Sequence, residues 1–272
     1  MINNEIQDMS SSTKNCKVIP VFFGDRKRHP RNSEEVLEMV KYTWELEKRI
    51  DPGVDMDTII VNNSPEDFHG SKFLNKIDGM STVRGKVIVL EGDNIGISFG
   101  AHNKAFEHFM DKYEHWFFVE DDIMMARPGW YKDFINQLYQ EPGLAFVAAV
   151  GLSGSKPRHA HSGAGCTNRK FLKEVYNKLG CLPHYKKVGS RQDWGEHIKE
   201  GEVAFTNIFI RLDYKVKRVK TKKSYIRWAN IGGYGCDQAV KLGKLDSNST
   251  VDKLEWGRWW KDSNWQEFLN ER

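Results

Sequence analysis

Three consecutive carboxylates mark the part of the sequence with the clearest capacity for chemistry. In WFFVEDDIMM (residues 116–125), Glu120, Asp121 and Asp122 directly follow an apolar run typical of a buried strand. We call these residues the acidic triplet. Each charge raises the cost of ionising its neighbours, and on an extended chain Glu120 and Asp122 share one face while Asp121 points to the other. Mg²⁺ or Mn²⁺, which prefer oxygen ligands, would offset the repulsion; an acid/base carboxylate pair and a solvated turn are the alternatives.

The segments before the acidic triplet predict the framework that positions it. Runs rich in Val, Ile and Phe, typical of strands, alternate with a helical pattern from Asn32 to Ile50 and another over residues 97–113. The order strand, helix, strand, strand, helix, strand is typical of a mainly parallel sheet with helices on its faces. The predicted strands are KVIPVFFG (17–24), DTIIVNNS (57–64), GKVIVLEGDN (85–94) and HWFFVEDD (115–122).

All four predicted strands end in polar residues. These ends are 24–26, 62–64, 91–94 and the acidic triplet. In open parallel sheets ligands bind beyond the carboxyl ends of the strands. We therefore expect these residues to form a ligand-binding edge.

The second half of the chain continues the alternation. Its predicted elements are a helix over 128–143, a buried strand over 144–152, a Gly-rich segment (161–169) that leads into a helix over 170–180, a helix over 202–213 and a strand-like stretch over 214–219. His159 and His161 lie in a Lys/Arg/His-rich loop after the buried strand and could contact a diphosphate or metal, or lie on plain surface. The backbone at Gly163 and Gly165 could approach a substrate closely, or simply form a helix-entry turn.

Composition limits the class of protein. The 272 residues, 39% of them hydrophobic, suffice for one large domain or two small ones. The four cysteines lie far apart without a C-x-x-C pair, which favours reduced thiols. No stretch predicts a signal peptide or a transmembrane helix, so we expect a cytoplasmic protein (in the host cytoplasm if virus-encoded).

Charge is distributed unevenly along the chain. Residues 156–227 contain 18 Lys and Arg against 6 Asp and Glu. Such a surplus is typical of a surface that meets an anionic partner, although a solvated basic face gives the same pattern.

The ordered set of motifs resembles the GT-A fold glycosyltransferases, most closely the family-2-like group. IIVNNS resembles the turn that holds the base and ribose of a nucleotide-sugar, and NIGISFGAHNKA (94–105) matches the segment that leads a helix toward the metal strand. FFVEDDIMMARPGW matches the D-x-D motif with its downstream Gly-Trp. The resemblance implies an α/β GT-A fold, a nucleotide-sugar donor (UDP-linked first) and Mn²⁺ or Mg²⁺.

The resemblance also assigns roles to residues. Asp122 would be the direct metal ligand, with Glu120 as the second metal residue. Glu120 and Asp121 would contact the ribose or metal-bound waters. The implied nucleotide-sugar contacts are Phe23, Gly24, Asn62, Asn63, Asp93, Asn94, Asn103, Glu120, Asp121 and Arg169.

The catalytic base of the family lies at the start of the last core helix. GEVAFTNIFIRLDYKV (201–216) matches that segment and places Glu202 on the base, with Gly201 where the family has a first acid. Asp193 in RQDWGEH is the second candidate. The implied reaction is an inverting displacement in which Glu202 takes the proton of an acceptor hydroxyl.

The resemblance covers roughly residues 17–219. We expect one catalytic domain over 16–230, with a nucleotide-sugar half (16–125) and a basic acceptor half (126–230), after a disordered polar tail (1–15). A Trp-rich extension (231–272), with Trp256, Trp259 and Trp260 at helical spacing, would pack on the domain.

The acceptor and the reaction class stay open at this point. A glycan, a lipid-linked sugar or a hydroxymethylated DNA base fits the acceptor side. A nucleotidyltransferase with the same type of sheet, or a non-catalytic nucleotide-sugar or carbohydrate binder, is the alternative function.

Overall fold

The computed structural model describes residues 14–24, 33–64, 69–125, 128–149, 159–160, 163–189, 191–220 and 226–228. Nearly all of the predicted polar tail, His161 and the whole Trp-rich extension lie outside these residues.

A seven-stranded sheet forms the centre of the fold. Its strands, with the two of a smaller sheet, are β1 (Asn15–Val21), β2 (Asp57–Asn62), β3 (Val87–Glu91), β4 (His115–Phe118), β5 (Ile123–Met125), β6 (Leu144–Ala148), β7 (Gly165–Asn168), β8 (Lys215–Arg218) and β9 (Ile226–Trp228). The order in the large sheet is β3-β2-β1-β4-β7-β6-β8, and β5 pairs with β9 separately. Only β7 runs antiparallel to its neighbours in the large sheet. The predicted α/β fold with a mainly parallel sheet is confirmed.

Helices cover both faces of this sheet. They are α1 (Ser33–Glu47), α2 (His69–Ile77), α3 (Ile97–Phe109), α4 (Trp130–Leu138), α5 (Arg169–Leu179), α6 (Trp194–His197) and α7 (Ala204–Arg211). A 3₁₀ turn (Arg191–Asp193) precedes α6, and a π-helical turn (Ile198–Val203) joins α6 to α7.

The core has two layers because successive strand residues point to opposite faces. In β1, Ile19 and Val21 belong to the layer beneath α1, α2 and α4, whereas Cys16 and Val18 belong to the layer beneath α3, α5 and α7. A sheet buried on both faces explains why the strands read as nearly continuous apolar runs.

One prediction about local structure was wrong, and one helix was not predicted. Residues 165–168, interpreted as part of a Gly-rich loop, form β7 between β4 and β6. Gly165 is in this strand because its neighbours approach closely: a Cβ there would lie 2.5 Å from Phe146 Cε1 and from the Val147 carbonyl oxygen. Helix α2, which the sequence did not predict, is held by packing, since its Leu74 and Ile77 are buried.

The described cysteines are Cys16, Cys166 and Cys181, and all three are free thiols. Burial raises the pKa of the Cys16 thiol well above its usual range and leaves it unreactive. Among the described helices, none has the length and apolar character needed to cross a lipid bilayer.

Candidate functional site

The carboxyl ends of β1, β2, β3 and β4 lie side by side, because these strands are parallel neighbours. We call this region the site edge. It brings together most of the predicted site residues, namely Phe23, Gly24, Asn62, Asn63, Asp93, Asn94, Glu120, Asp121 and Asp122. For the described residues the expectation that the polar strand ends share one edge is confirmed; Asp25 and Arg26 lie outside them.

Asn62 and Ser64 build the turn after β2. The side-chain oxygen of Asn62 accepts a hydrogen bond from Ser64 N (3.1 Å), and its amide nitrogen donates to Ser71 Oγ (3.0 Å). The hydroxyl of Ser64 accepts from the backbone N of Phe23 (2.6 Å). Because both groups of the Asn62 amide have protein partners, this side chain fixes the shape of the site edge.

Asn63 joins the turn after β2 to the start of α3. Its backbone N donates to the Val21 carbonyl (2.8 Å), and its side-chain amide donates to the Ile97 carbonyl (3.1 Å). Both Asn63 and Asn62 are buried. The ends of β1 and β2 and the start of α3 therefore form one hydrogen-bonded unit.

Asn94 has two unusual features. Its φ of 58° lies in the left-handed region, which asparagine tolerates better than most residues. Its side-chain oxygen is buried, and no described residue donates a hydrogen bond to it. A buried acceptor without a donor costs about 1–3 kcal/mol, so Asn94 offers an acceptor that a bound molecule could satisfy. The adjacent Asp93 is exposed and accepts from Ile95 N (3.0 Å).

The acidic triplet follows β4 in a tight turn, in which Ile123 N donates to the Glu120 carbonyl (3.1 Å). Asp121 and Asp122 are 8% and 5% exposed, and Glu120 is half-buried. Asp121 lines a small cavity with β1, β2 and α1 residues that include Thr43 and Trp44. The middle carboxylate therefore faces the α1 layer.

The chemistry of the donor set suits a hard divalent cation. Carboxylate oxygens at a buried turn are ligands that Mg²⁺ and Mn²⁺ take. Among the described residues, no group of three or more His, Cys, Asp and Glu is placed to hold a metal ion. Where substrate phosphates and water complete the shell of an ion, one or two carboxylates suffice as protein ligands.

Two hydrogen bonds and a β-bridge connect the site edge and α3 to residues 182–189. Asn103 accepts a hydrogen bond from Leu182 N (2.8 Å), and Asn94 O accepts from Gly189 N (2.9 Å). Ile95 and Val188 form an antiparallel bridge between the two segments. Asn103 was predicted as a nucleotide-sugar contact. Its buried amide oxygen is hydrogen-bonded to the backbone of residues 182–189.

Glu202 lies in the π-helical turn between α6 and α7. Such turns interrupt regular helices frequently at functional sites. Gly201, where the resembling family has an acid, packs on Phe99: a Cβ there would lie 2.8 Å from Phe99 Cδ2. A side chain therefore cannot fit at residue 201. Of the two acids in this turn, Glu202 is half-buried and Glu200 is exposed.

Two histidines lie near Glu202. The Nε2 atom of His159 is 3.3 Å from Glu202 Oε1, and the two side chains are 14% and 13% exposed. Burial lowers the pKa of His197 to about 4, although the charge of Glu202 acts in the opposite direction. Burial likewise lowers the pKa of His102 to about 3. His197 and His102 are therefore neutral imidazoles at neutral pH.

Aromatic packing places Glu202 and the acidic triplet around one cluster. Phe205, one turn after Glu202, contacts Phe118 at the end of β4, with ring centroids 5.3 Å apart. Phe99 contacts Phe205 (5.5 Å) and His197 (5.7 Å). His102 also belongs to this cluster. Its Nε2 atom lies 3.3 Å from the Val119 carbonyl oxygen, next to the acidic triplet.

The structure does not bring Arg169 to the site edge. It is the first residue of α5, directly after β7. Because β7 runs antiparallel, its last residue lies beside the start of β4, at the opposite end of the strands from the site edge. There Arg169 pairs with Glu114 (2.8 Å) and donates to the Asp111 carbonyl (2.9 Å). Asp193 is half-buried and lies just before α6, whereas Glu202 lies after it.

Sequence reasoning did not identify His197 as a neighbour of Glu202, and it left the function of His159 open. His197 is five residues before Glu202, a spacing that puts both on one face of a π-helical turn. That spacing has meaning only in a π-helical turn, which the sequence does not predict. The contact of His159 with Glu202 joins two segments that nothing in the sequence pairs.

Many basic residues of the second half have acidic partners. Lys215 and Lys217 both pair with Glu141 and lower its pKa to about 2. Lys173 pairs with Asp111 (2.5 Å). The surplus of positive charge in the sequence therefore overstates the positive charge that these residues offer to a partner.

No protein-family model and no curated protein sequence matches the chain. A cytidylyltransferase from Leptospira borgpetersenii superimposes with a TM-score of 0.51 at 10% identity, over 88% of this chain and 99% of that one. The mannosyltransferase PcManGT from Pyrobaculum calidifontis, solved with GDP-Man and Mn²⁺, gives 0.49 at 10% identity, over 79% and 59%. S. aureus TarS gives 0.45 at 15% identity, over 89% of this chain but 41% of its own. This chain therefore shares the mixed α/β fold of the cytidylyltransferase, with a mostly parallel sheet flanked by helices.

Proposed function

We propose that the chain is a divalent-metal-dependent glycosyltransferase that moves a sugar from a nucleotide-sugar to an acceptor hydroxyl with inversion. A UDP-sugar is the first choice of donor. The observation that carries the proposal is the arrangement of the acidic triplet and Glu202. The triplet follows β4, Glu202 lies in the π-helical turn directly before α7, and α7 packs against β4 through Phe205 and Phe118.

The donor would bind at the site edge. Asp122 and Glu120 would hold the cation, which when bound neutralises the negative charge on the departing diphosphate. The buried oxygen of Asn94 would accept a hydrogen bond from the base or ribose of the nucleotide. The turns built by Asn62, Asn63 and Ser64 would give the nucleotide a rigid wall, which reduces the cost of positioning the sugar carbon.

Glu202 would act as the general base. Its carboxylate accepts the proton of the acceptor hydroxyl while the hydroxyl oxygen forms a bond to the anomeric carbon. The bond from that carbon to the diphosphate oxygen breaks, and its electron pair leaves with the nucleoside diphosphate. The exposed fraction of only 13% keeps bulk water from competing for the Glu202 oxygens.

The acceptor side would be formed by α6 and the π-helical turn. Trp194 is 38% exposed, and its ring lies 5.6 Å from the ring of His197. An indole face at the rim of a site suits the apolar face of a sugar ring. Glu141 offsets part of the positive charge of two lysines of β8. For this reason, and because of the exposed indole, we favour a carbohydrate acceptor over the phosphate backbone of hydroxymethylated DNA.

The first test is to incubate the protein with Mn²⁺ and a panel of nucleotide-sugars, including UDP-glucose, UDP-N-acetylglucosamine and GDP-mannose. Slow transfer to water would release a nucleoside diphosphate, and Glu202→Gln and Asp122→Asn should each slow that release at least about a hundredfold. Release of pyrophosphate from a nucleoside triphosphate and a sugar phosphate would instead establish a nucleotidyltransferase. Binding of a donor without turnover, unaffected by Glu202→Gln, would establish a non-catalytic binder.

A second test separates the acceptors. Phosphate contacts weaken steeply as salt rises, whereas stacking on Trp194 does not. Activity on a neutral glycan should therefore be insensitive to salt and lowered by Trp194→Ala. Activity on hydroxymethylated DNA that falls steeply with salt would contradict the carbohydrate assignment.

A further inference from the structure

The side chains of His159 and Glu202 are in close contact. A carboxylate can only accept a hydrogen bond, so the nitrogen facing it must donate. His159 Nε2 lies 3.3 Å from Glu202 Oε1, so Nε2 is the ring nitrogen placed to present a hydrogen to this carboxylate. Both side chains are mostly buried, so water competes little for this bond.

The backbone beside His159 is attached to the same helix. Ala160 N donates to Thr206 Oγ1 (3.1 Å), and both residues are completely buried. Thr206 lies one helical turn after Glu202. His159 is thus held against the helix that carries Glu202 by a second contact that involves neither of the two side chains.

We propose that His159 is a positioning residue for Glu202, an inference that rests on the proposed glycosyltransferase function. A glutamate side chain has several rotatable bonds, and proton transfer requires it to be within hydrogen-bond reach of the acceptor hydroxyl. By donating to Oε1, His159 holds the carboxylate in one orientation and favours its ionised form. The charge of Glu202 also acts on His197 of α6, but burial keeps that imidazole neutral, with a pKa of about 4.

The kinetic test compares His159→Leu with His159→Gln. Glutamine carries an N–H donor at a reach similar to Nε2, whereas leucine fills the space without a donor. We expect His159→Leu to lower kcat for nucleoside diphosphate release at least tenfold, to move the acidic limb of the pH profile to higher pH and to leave KM for the donor unchanged. His159→Gln should restore most of kcat and the position of that limb.

A double-mutant cycle tests whether the two residues act as a unit. In the Glu202→Gln background, His159→Leu should cause no further loss. Wild-type kcat and pH profile in His159→Leu, or fully multiplicative losses in the double variant, would overturn the proposal.

A spectroscopic test separates this proposal from the function itself. Nitrogen-15 NMR of histidine-labelled protein reports which ring nitrogen carries the proton, without any substrate. We expect His159 in the Nε2–H tautomer, and a loss of that preference in Glu202→Ala and in Thr206→Val. An Nδ1–H tautomer in the wild type would overturn the pairing of His159 with Glu202, even if glycosyl transfer is observed. Absence of turnover with every donor would refute the proposed function. In that case the NMR result would still decide whether the two residues pair.

Discussion

The ring of Phe205 meets the ring of Phe118 edge to face, with centroids 5.3 Å apart and planes at 82°. Phe118 ends the strand that leads into the acidic triplet, and Phe205 lies one turn after Glu202. This contact therefore fixes the helix of the candidate base against the strand of the candidate metal ligands. The geometry of the proposed site depends on packing between apolar groups that take no part in the chemistry.

Phe205→Ala should destabilise the protein by about 3–5 kcal/mol, because it removes a large buried ring and leaves a cavity. Urea unfolding measures this loss. Ile210→Ala is the matched control, since Ile210 is 45% exposed on the same helix and its truncation should change stability by only about 0.5 kcal/mol. Equal effects of the two substitutions would show that the Phe118–Phe205 contact does not anchor the helix.

Asn94→Gly should weaken UDP binding about fivefold to tenfold, the equivalent of one hydrogen bond. Glycine keeps the left-handed backbone at this position, so the substitution removes the side-chain acceptor without straining the turn. Isothermal titration calorimetry with UDP and Mn²⁺ measures the change. An unchanged dissociation constant would mean that the buried oxygen of Asn94 does not meet the nucleotide.

Arg169→Ala should leave the affinity for UDP unchanged, because Arg169 lies at the opposite edge of the sheet. Its ion pair with Glu114 is partly exposed, so the free energy of unfolding should fall by only about 1 kcal/mol or less. The same calorimetric titration serves as the measurement. A marked loss of UDP affinity would restore the role that the sequence suggested for Arg169.

His197 should make the protein less stable in acid. Its folded-state pKa of about 4 lies below the ordinary value of 6.5, so the unfolded chain takes up a proton first as the pH falls. Stability from the neutral imidazole is complete above the ordinary value and is lost as the pH falls toward the folded-state pKa. Between pH 7.5 and 5 this loss amounts to about 2 kcal/mol.

His197→Leu should reduce the acid-induced loss of stability by that amount in urea titrations at the two pH values. His108→Gln is the control, because His108 is exposed on α3 and should leave the wild-type pH dependence in place. If His197→Leu and the wild type lose stability equally, burial does not keep the imidazole of His197 neutral.

The sequence predicts the site edge well because the relevant signals are local. A buried parallel strand reads as an apolar run, and the polar residues that follow it lie at the carboxyl edge whatever the strand order. The order of the elements along the chain is therefore enough to place Asn62, Asn94 and Asp122 on one edge. Helix α3 and the helix that carries Glu202 follow in the same way from their spacing.

The remaining features depend on contacts between distant segments. Gly165 reads as a loop residue, yet it lies in β7 because Phe146 requires a close approach. The reversed direction of β7 then moves Arg169 to the far edge of the sheet. The pairing of His159 with Glu202, and the packing of Gly201 on Phe99, likewise arise only when the helix of the base is docked on the sheet.

The most direct measurement is the affinity for UDP with Mn²⁺ and with a chelator, in the wild type and in Asp122→Asn. This substitution keeps the shape of the side chain and removes its charge. We predict that UDP binds the wild type tightly only with Mn²⁺, and that Asp122→Asn loses this metal-dependent gain while remaining folded. Equal affinity with and without Mn²⁺, or an undiminished metal effect in Asp122→Asn, would contradict the assignment of the acidic triplet.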